Sequence, residues 1–280
     1  TLPANLTLNC HDTIPNRANV QFTETCDQNF DITYNQVSTQ GLIPNTPSYY
    51  NYTITRTWFA KDASNNTSPT YTQVITVHDV TAPVIVANTL PSNVTLTCYD
   101  TIPNVTNVLF TDNCSTPSIT FNQTSTFVNN PTNPLFYNYQ ITRTWYAVDA
   151  CGNQSLTSTQ IITVVDTEAP VVVASSVPAN VTVNCGNIPE VPTVSFTDAC
   201  DPAPVVTYNQ VSTRGTNPNN ANYYNYTLTR TWFATDVTGH VSPTVSQVIT
   251  VQDIEAPVVV PATIPSDITL NCQDVIPAAP

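Results

Sequence analysis

Acidic side chains recur at fixed places in this chain, and their recurrence bears directly on the chemistry they could do. Asp62, Asp149 and Asp236 each open a polar turn, such as Asp62-Ala63-Ser64-Asn65-Asn66 and Asp149-Ala150-Cys151-Gly152-Asn153. A second set sits in Asp79-Val80-Thr81-Ala82-Pro83, Asp166-Thr167-Glu168-Ala169-Pro170 and Asp253-Ile254-Glu255-Ala256-Pro257. Ca2+ takes roughly six to eight oxygens, which carboxylates, Asn side chains and turn carbonyls supply. The candidate Ca2+ ligands are therefore Asp62, Asp79, Asp149, Asp166, Glu168, Asp236, Asp253 and Glu255. The competing reading is that these acids cap turns and solvate the surface. Two features weaken the metal reading: Thr81 stands where the later stretches have Glu, and no dense D-x-D-x-D-G loop is present.

The eight cysteines are Cys10, Cys26, Cys98, Cys114, Cys151, Cys185, Cys200 and Cys272. Six fall into near pairs, and the spacing predicts three disulfides: Cys10 with Cys26, Cys98 with Cys114, Cys185 with Cys200. That pattern implies an oxidising, extracellular setting. Closing a loop of that size stabilises by roughly 3 kcal/mol in the chain-entropy model. Zinc ligation is disfavoured, because no CxxC occurs and only three histidines are present. By spacing, the partner of Cys272 falls past residue 280.

Only six residues are basic, and three of them occupy one recurring position: Arg56, Arg143 and Arg230. Each repeat also has an acid just before a cysteine: Glu24, Asp112 and Asp198. Two readings fit these arginines. Each forms an ion pair with the acid of its own repeat, its guanidinium stacked near a tryptophan, or each reaches past the sheet edge to water. Catalysis finds no support. His11, His78 and His240 do not recur at one position, no Ser-His-Asp set can be assembled, and the acids do not form a single pair in a cleft. The expectation is a protein that is not an enzyme. Asn5, Asn51, Asn66, Asn93, Asn104, Asn122, Asn180 and Asn225 head N-x-S/T sequences and are candidate glycosylation sites. The alternative is simple richness in Asn and Thr.

The element that positions these groups is a strand that occurs three times. It runs from Tyr52 to Asp62, returns at Tyr139, and returns again at Tyr226. Its tryptophans lie at 58, 145 and 232, two equal intervals of 87 residues. A constant period means one unit copied in tandem. Thr, Ile, Tyr, Trp and Phe without Gly or Pro read as a strand. Alternation puts Tyr52, Ile54, Arg56, Trp58 and Ala60 on one face. About seven short runs per unit, separated by turn signals, read as an all-β sandwich with no helical periodicity. These runs include Leu6 to Leu8, Val20 to Phe22, Ile32 to Thr39, Gln73 to Val77 and, in the tail, Ile268 to Leu270. The units are 1–81, 82–168, 169–255 and 256–280, the first lacking its opening strand and the last only begun. Their Pro-ended joints contain no Gly and are expected to be short and stiff.

The formal charge is −13, from 19 acids against 6 bases, which excludes a basic nucleic-acid footprint. No apolar run is long enough to span a membrane. The chain has no Met, and it reads as an excised piece of a longer array. An alternative is donor-strand assembly, in which residues 257–261 add to the sheet holding Val20 to Phe22 or Val74 to Val77 of another copy.

The combination of Ile141-Thr142-Arg143-Thr144-Trp145, the Asp149 to Asn153 turn, Gln160 to Asp166 and the following Thr167-Glu168-Ala169-Pro170 resembles a known family. It is similar to the hyalin-repeat-like modules of giant bacterial cell-surface proteins, gliding and biofilm adhesins among them. The resemblance implies tandem immunoglobulin-like or fibronectin-like β-sandwiches placed end to end. It also implies an extracellular stalk, fibre or adhesin, partnered by further repeats of the same chain or by copies of itself. Modules of this type often carry a second cysteine pair around the turn. Here Ser64 and Thr238 match Cys151, so Cys151 is expected to be an unpaired thiol, with an interchain bridge as the alternative. Two other functions stay open. Loops Gln40 to Tyr49, Val128 to Pro134 and Gly215 to Asn222 could bind surface glycans, or the array could be the spacer of a secreted enzyme.

Overall fold

The computed structural model describes residues 2–26, 29–261, 267–276 and 278. The chain is nearly all β, with 38% strand and 5% helix. Residues Thr1–Thr167 make one compact unit and Glu168–Pro280 another.

In the first unit, β1 (Leu6–Asn9), β2 (Phe30–Ser38), β3 (Tyr52–Asp62) and β4 (Tyr71–His78) form a sheet in the order β1-β4-β3-β2. The same unit then holds β5 (Val84–Ile85), β6 (Val94–Thr97), β7 (Phe110–Thr111), β8 (Ser118–Ser125), β9 (Tyr139–Val148) and β10 (Ser158–Val165). These make a second sheet, β6-β10-β9-β8, and a two-stranded sheet of β5 with β7. The second unit repeats the plan with β11 (Val171–Val172), β12 (Val181–Asn184), β13 (Phe196–Thr197), β14 (Val205–Ser212), β15 (Tyr226–Thr235) and β16 (Val245–Gln252). There β12-β16-β15-β14 is the large sheet and β11-β13 the small one.

The alternation of β3 is realised as expected: Ile54, Arg56, Trp58 and Ala60 are buried, while the threonines between them are half-buried. Small and large sheets face each other over the tryptophans. Val108, Phe110, Trp145 and Ala147 form one core with Ile85 against it, and Val194, Phe196, Trp232 and Ala234 form another with Val172 against it. An aromatic residue on the neighbouring strand covers each indole: Tyr34, Phe121 and Tyr208, with ring centroids 5.3, 5.3 and 5.4 Å away.

Three expectations need correction. Among the described residues, repeats two and three have six strands each and repeat one has four, not about seven. Val20 to Phe22 is not a strand, because no strand among the described residues pairs with it, although Val20 is buried. Ile268 to Leu270 is likewise no strand: β1, β6 and β12 each pair in parallel with the last strand of their repeat, and among the described residues no strand pairs with Ile268 to Leu270. The tail's residues 262–266, 277, 279 and 280 lie outside the described residues. The variable loops also contain single helical turns, α1 (Pro47–Tyr50) and two 3-10 turns at Pro134–Phe136 and Ala221–Tyr223, too short to register as periodicity.

Candidate functional site at the joint

The joint between repeats one and two, inside the first unit, is where the singled-out residues converge. It begins as β4 ends. The Asp79 amide donates to Asn51 Oδ1 at 2.8 Å, and its carboxylate Oδ1 accepts from the Thr81 amide at 3.2 Å. Its carbonyl accepts from Asn153 Nδ2 of repeat two at 3.1 Å. Asn9 Nδ2 donates to Thr81 Oγ1, and Asn113 Nδ2 of repeat two reaches the same hydroxyl and His11 Nδ1. Farther out, the Thr116 amide donates to Asn45 Oδ1 at 2.9 Å and its carbonyl accepts from Asn45 Nδ2. A chain of amide side chains thus ties the two sandwiches together.

A disulfide does so covalently. Cys10 is bonded to Cys114, 104 residues away, with Cα atoms 6.0 Å apart. The expected bridges Cys10–Cys26, Cys98–Cys114 and Cys185–Cys200 do not form. Cys98 and Cys200 are also disulfide-bonded. Cys114 is taken by Cys10, and Cys26 and Cys185 are free, so none of the three expected partners is available. The reason is placement. β1 runs parallel to β4, so Cys10 emerges at the joint end of its sheet, where its amide donates to the His78 carbonyl at 3.1 Å. The turn carrying Cys114 follows β7, at the end of repeat two that receives the joint. Cys26, Cys151, Cys185 and Cys272 are free thiols.

The arginines have no carboxylate partner. Arg56 Nε donates to Gln36 Oε1 at 2.9 Å, Nη2 to the Pro15 carbonyl at 2.8 Å and Nη1 to the Asn16 carbonyl at 3.3 Å. Arg143 uses Gln123, Pro103 and Asn104 in the same way, and Arg230 uses Gln210, Pro189 and Glu190. The ion-pair contacts of the described residues include His11–Asp12 and His240–Asp236, neither of which involves these arginines. The ion pairs Arg56–Glu24, Arg143–Asp112 and Arg230–Asp198 are therefore wrong, as is stacking on tryptophan. Carbonyls and a Gln satisfy a buried guanidinium at no cost of burying a second charge. Asp112 and Asp198 instead accept the backbone amides of the cysteine turns, Cys114 and Ser115 in one case, Cys200 and Asp201 in the other.

Most metal candidates are spent on turns. Asp62, Asp149 and Asp236 accept amides of their own loops, and their second oxygens take Asn66 Nδ2, Asn153 Nδ2 and His240 Nδ1. The last two loops need a left-handed residue, Gly152 at φ 92° and Gly239 at φ 100°, with Asn65 filling that place at φ 69°. Burial raises the pKa of Asp236, but hydrogen bonds from His240, Thr238 and Gly239 outweigh it and hold it low. Asp62 is also held low, chiefly by the Asn66 side chain. Glu255 accepts from Asn184 Nδ2 at 2.7 Å, Asp253 from the Glu255 amide, and the Asp166 amide donates to Asn138 Oδ1. Glu168 opens the second unit.

Three acids stand apart: Asp79 Oδ2, Asp112 Oδ2 and Asp198 Oδ2 are buried with no hydrogen-bond partner among the described residues. Carboxylate oxygens of Asp79 and Asp112 and the disulfide-bonded sulfur of Cys114 lie within 4.8 Å of one another. Burial, then the charges of Asp112 and Asp149, push the Asp79 carboxyl above its usual range. Beside it, burial and the charges of Asp79 and Asp149 push the Cys151 thiol up to about 11. The sequence does not mark Asp112 as a joint acid, because its place before a cysteine suggests an arginine partner. Nor does it mark the glutamines as those partners, although Gln36, Gln123 and Gln210 recur at the repeat period.

The sequon asparagines have structural work in the bare chain. Asn5, Asn93 and Asn180 accept the amides of Val74, Ile161 and Val248, and Asn51 and Asn225 those of Asp79 and Asp253. Asn66 Nδ2 is engaged by Asp62, whereas Asn104 and Asn122 are exposed. Asn113 and Asn153, which also head N-x-S sequences, hold the joint.

No known family's sequence profile matches the chain, and no curated protein matches it. Solved structures similar to it are tandem β-domain chains. Drosophila N-cadherin EC1-3 is 13% identical over 90% of this chain and 99% of that one, with a TM-score of 0.31. Mouse clustered PcdhgC3 EC1-3 is 11% identical over 72% and 77%, with a TM-score of 0.30. Sidekick-1 immunoglobulin domains 1-5 is 11% identical over 80% and 52%, with a TM-score of 0.24. Likeness at this level carries no function from one chain to the other.

Proposed function

We propose that the chain is a structural and adhesive section of a large secreted cell-surface fibre, acting as a stiff stalk and not as an enzyme. The observation that carries this reading is the joint of repeats one and two, where a disulfide and a set of amide hydrogen bonds bind one sandwich to the next. In this reading the repeats are 1–81, 82–168, 169–255 and 256–280, of the hyalin-repeat-like type, and the disulfides support a setting outside the cell. Small-angle scattering tests it. The expected particle is extended, with repeats end to end, and keeps its maximum dimension in high salt. A compact particle with repeats folded back on one another overturns the reading.

Calcium belongs to the same proposal. Asp79 and Asp112 would hold a divalent cation between their unpartnered oxygens, and water would complete the shell. The cation would neutralise two buried carboxylates that otherwise repel. The sign of the pH effect follows from the raised Asp79 pKa. Without metal, folding favours the protonated acid, so stability falls as pH rises from the ordinary Asp range through the raised folded value. Asp79→Asn is therefore expected to melt higher than the wild type at neutral pH in EGTA. Added Ca2+ is expected to raise the melting temperature of the wild type and not that of the variant. An identical wild-type melt in EGTA and in Ca2+ would remove calcium from the account.

A further inference from the structure

The large sheet of repeat two ends in a long strand with an open edge. In the order β6-β10-β9-β8 the two outer strands differ: β6 has four residues and β8 has eight. Every residue of β8 is exposed, and among the described residues no strand pairs with its outer side. The Thr126 amide donates to the Gln140 carbonyl at 3.0 Å. Alternation along the ladder therefore turns the main-chain groups of Ile119, Phe121 and Gln123 away from β9. Native edges are blunted by charge, proline, a bulge or shortness. β8 has none of these: its register on β9 is unbroken from Ser118 to Ser125. Residues 113–142 hold no Asp, Glu, Lys, Arg or His, the longest such stretch in a chain of formal charge −13. The core is open at the same edge. Ile119 and Phe121 lie opposite Ala147 and Trp145, on the buried face of β9, yet are 40% and 41% exposed.

The matching edges of the other repeats are less free. β2 carries Asp31, which a second β2 would bring close to its own image. On β14 the Gln210 amide, turned outward by the same alternation, is already taken by Asn209 Oδ1 at 2.9 Å.

We infer that β8 is a self-pairing edge whose occupant is β8 of a second copy of this chain, laid antiparallel about a two-fold axis normal to the sheet. Charge selects this occupant. Copies of an acidic chain repel wherever carboxylates meet, and this edge meets its own image with none. A two-fold axis of that kind keeps both buried faces on one side. With Phe121 opposite Phe121 of the second copy, Ile119 falls opposite Gln123 and Thr120 opposite Asn122. The outward main-chain groups then bond reciprocally, as in other strand additions. The two Phe121 rings meet as a cross-strand pair, and each copy covers the open end of the other's core. The seam lies within one repeat, so it goes beyond the stalk reading and does not depend on it.

The test uses the whole chain, made without glycosylation because Asn122 heads an N-x-T sequence on this edge. Sedimentation velocity over rising protein concentration is expected to show a reversible dimer, strengthened by salt as the net charge is screened. Thr120 and Asn122 are exposed and alternate with the residues of the tryptophan face, so changing them should leave the fold intact, which thermal melts check. Thr120→Asp with Asn122→Asp sets like charges opposite each other at two places and should weaken the dimer about tenfold. Thr120→Lys with Asn122→Lys should do the same. An equimolar mixture of those two chains should dimerise again, as a heterodimer. Thr207→Asp with Asn209→Asp, the same change on β14, should leave the dimer as it was. A chain that stays monomeric at every concentration overturns the inference. So does a dimer indifferent to the β8 changes, equally weakened by the β14 ones, or not restored in the mixture. A monomer that scatters as an extended particle defeats the pairing alone; a compact particle defeats the stalk reading.

Discussion

Arg143 shows what a single buried cation does in this scaffold. It is 4% exposed, and its guanidinium collects Gln123 Oε1 and the carbonyls of Pro103 and Asn104. The two carbonyls belong to a segment with no strand of its own, so the arginine substitutes for a ladder. Gln160, opposite Arg143 across β9 and β10, holds the Ser92 carbonyl in the same way. Arg143→Met takes this donor from four acceptors, the Pro103 and Asn104 carbonyls and the Gln123 and Gln160 side-chain oxygens, and each left unsatisfied costs about 1–3 kcal/mol. The expected loss is about 4 kcal/mol, read as a lower urea midpoint, and Arg143→Lys should recover little because one ammonium cannot span the fork. Cys151 gives a second prediction at this scale. With its thiol pushed up to about 11, it stays protonated at pH 8 and should resist iodoacetamide in the folded chain. Alkylation should set in as the pH approaches 11, and fast labelling at pH 8 would contradict the described environment.

The element that decides the joint is β1. Its parallel seat beside β4 carries Cys10 to the far end of the repeat, and this sends the disulfide forward to Cys114. Replacing both cysteines by serine opens a closure of 104 residues, worth roughly 4–5 kcal/mol in the chain-entropy model. Calorimetry of that variant should show the first two repeats melting in separate steps where the oxidised chain melts them together. The tandem period, the tryptophan strand and its buried face were legible because alternation and recurrence are properties of the residues themselves. The bridge was not. Proximity in sequence suggested Cys10 with Cys26, while the true pairing depends on which end of a sandwich each turn occupies. The arginine partners escaped for a related reason: a carbonyl leaves no mark in the side-chain pattern, and a buried charge draws attention to acids. Asp112, claimed by that false pairing, was lost to the joint, where its carboxylate faces Asp79.

At the scale of the whole molecule, 19 acids against 6 bases leave a surface that repels its own kind at low ionic strength, so contact between copies must come from shape and backbone pairing. The amides and the disulfide of the joint supply such contact between repeats one and two. The forward-reaching bridge has one more consequence. Because Cys10 is bonded to Cys114, residues 11–113 form a closed covalent ring lying off the shortest bonded route along the chain. Tension applied to the two termini passes through the sulfur atoms and leaves the sheet of β2, β3 and β4 unloaded. About 350 Å of contour length, the reach of some hundred extended residues, stays hidden from a pull until that bridge is reduced.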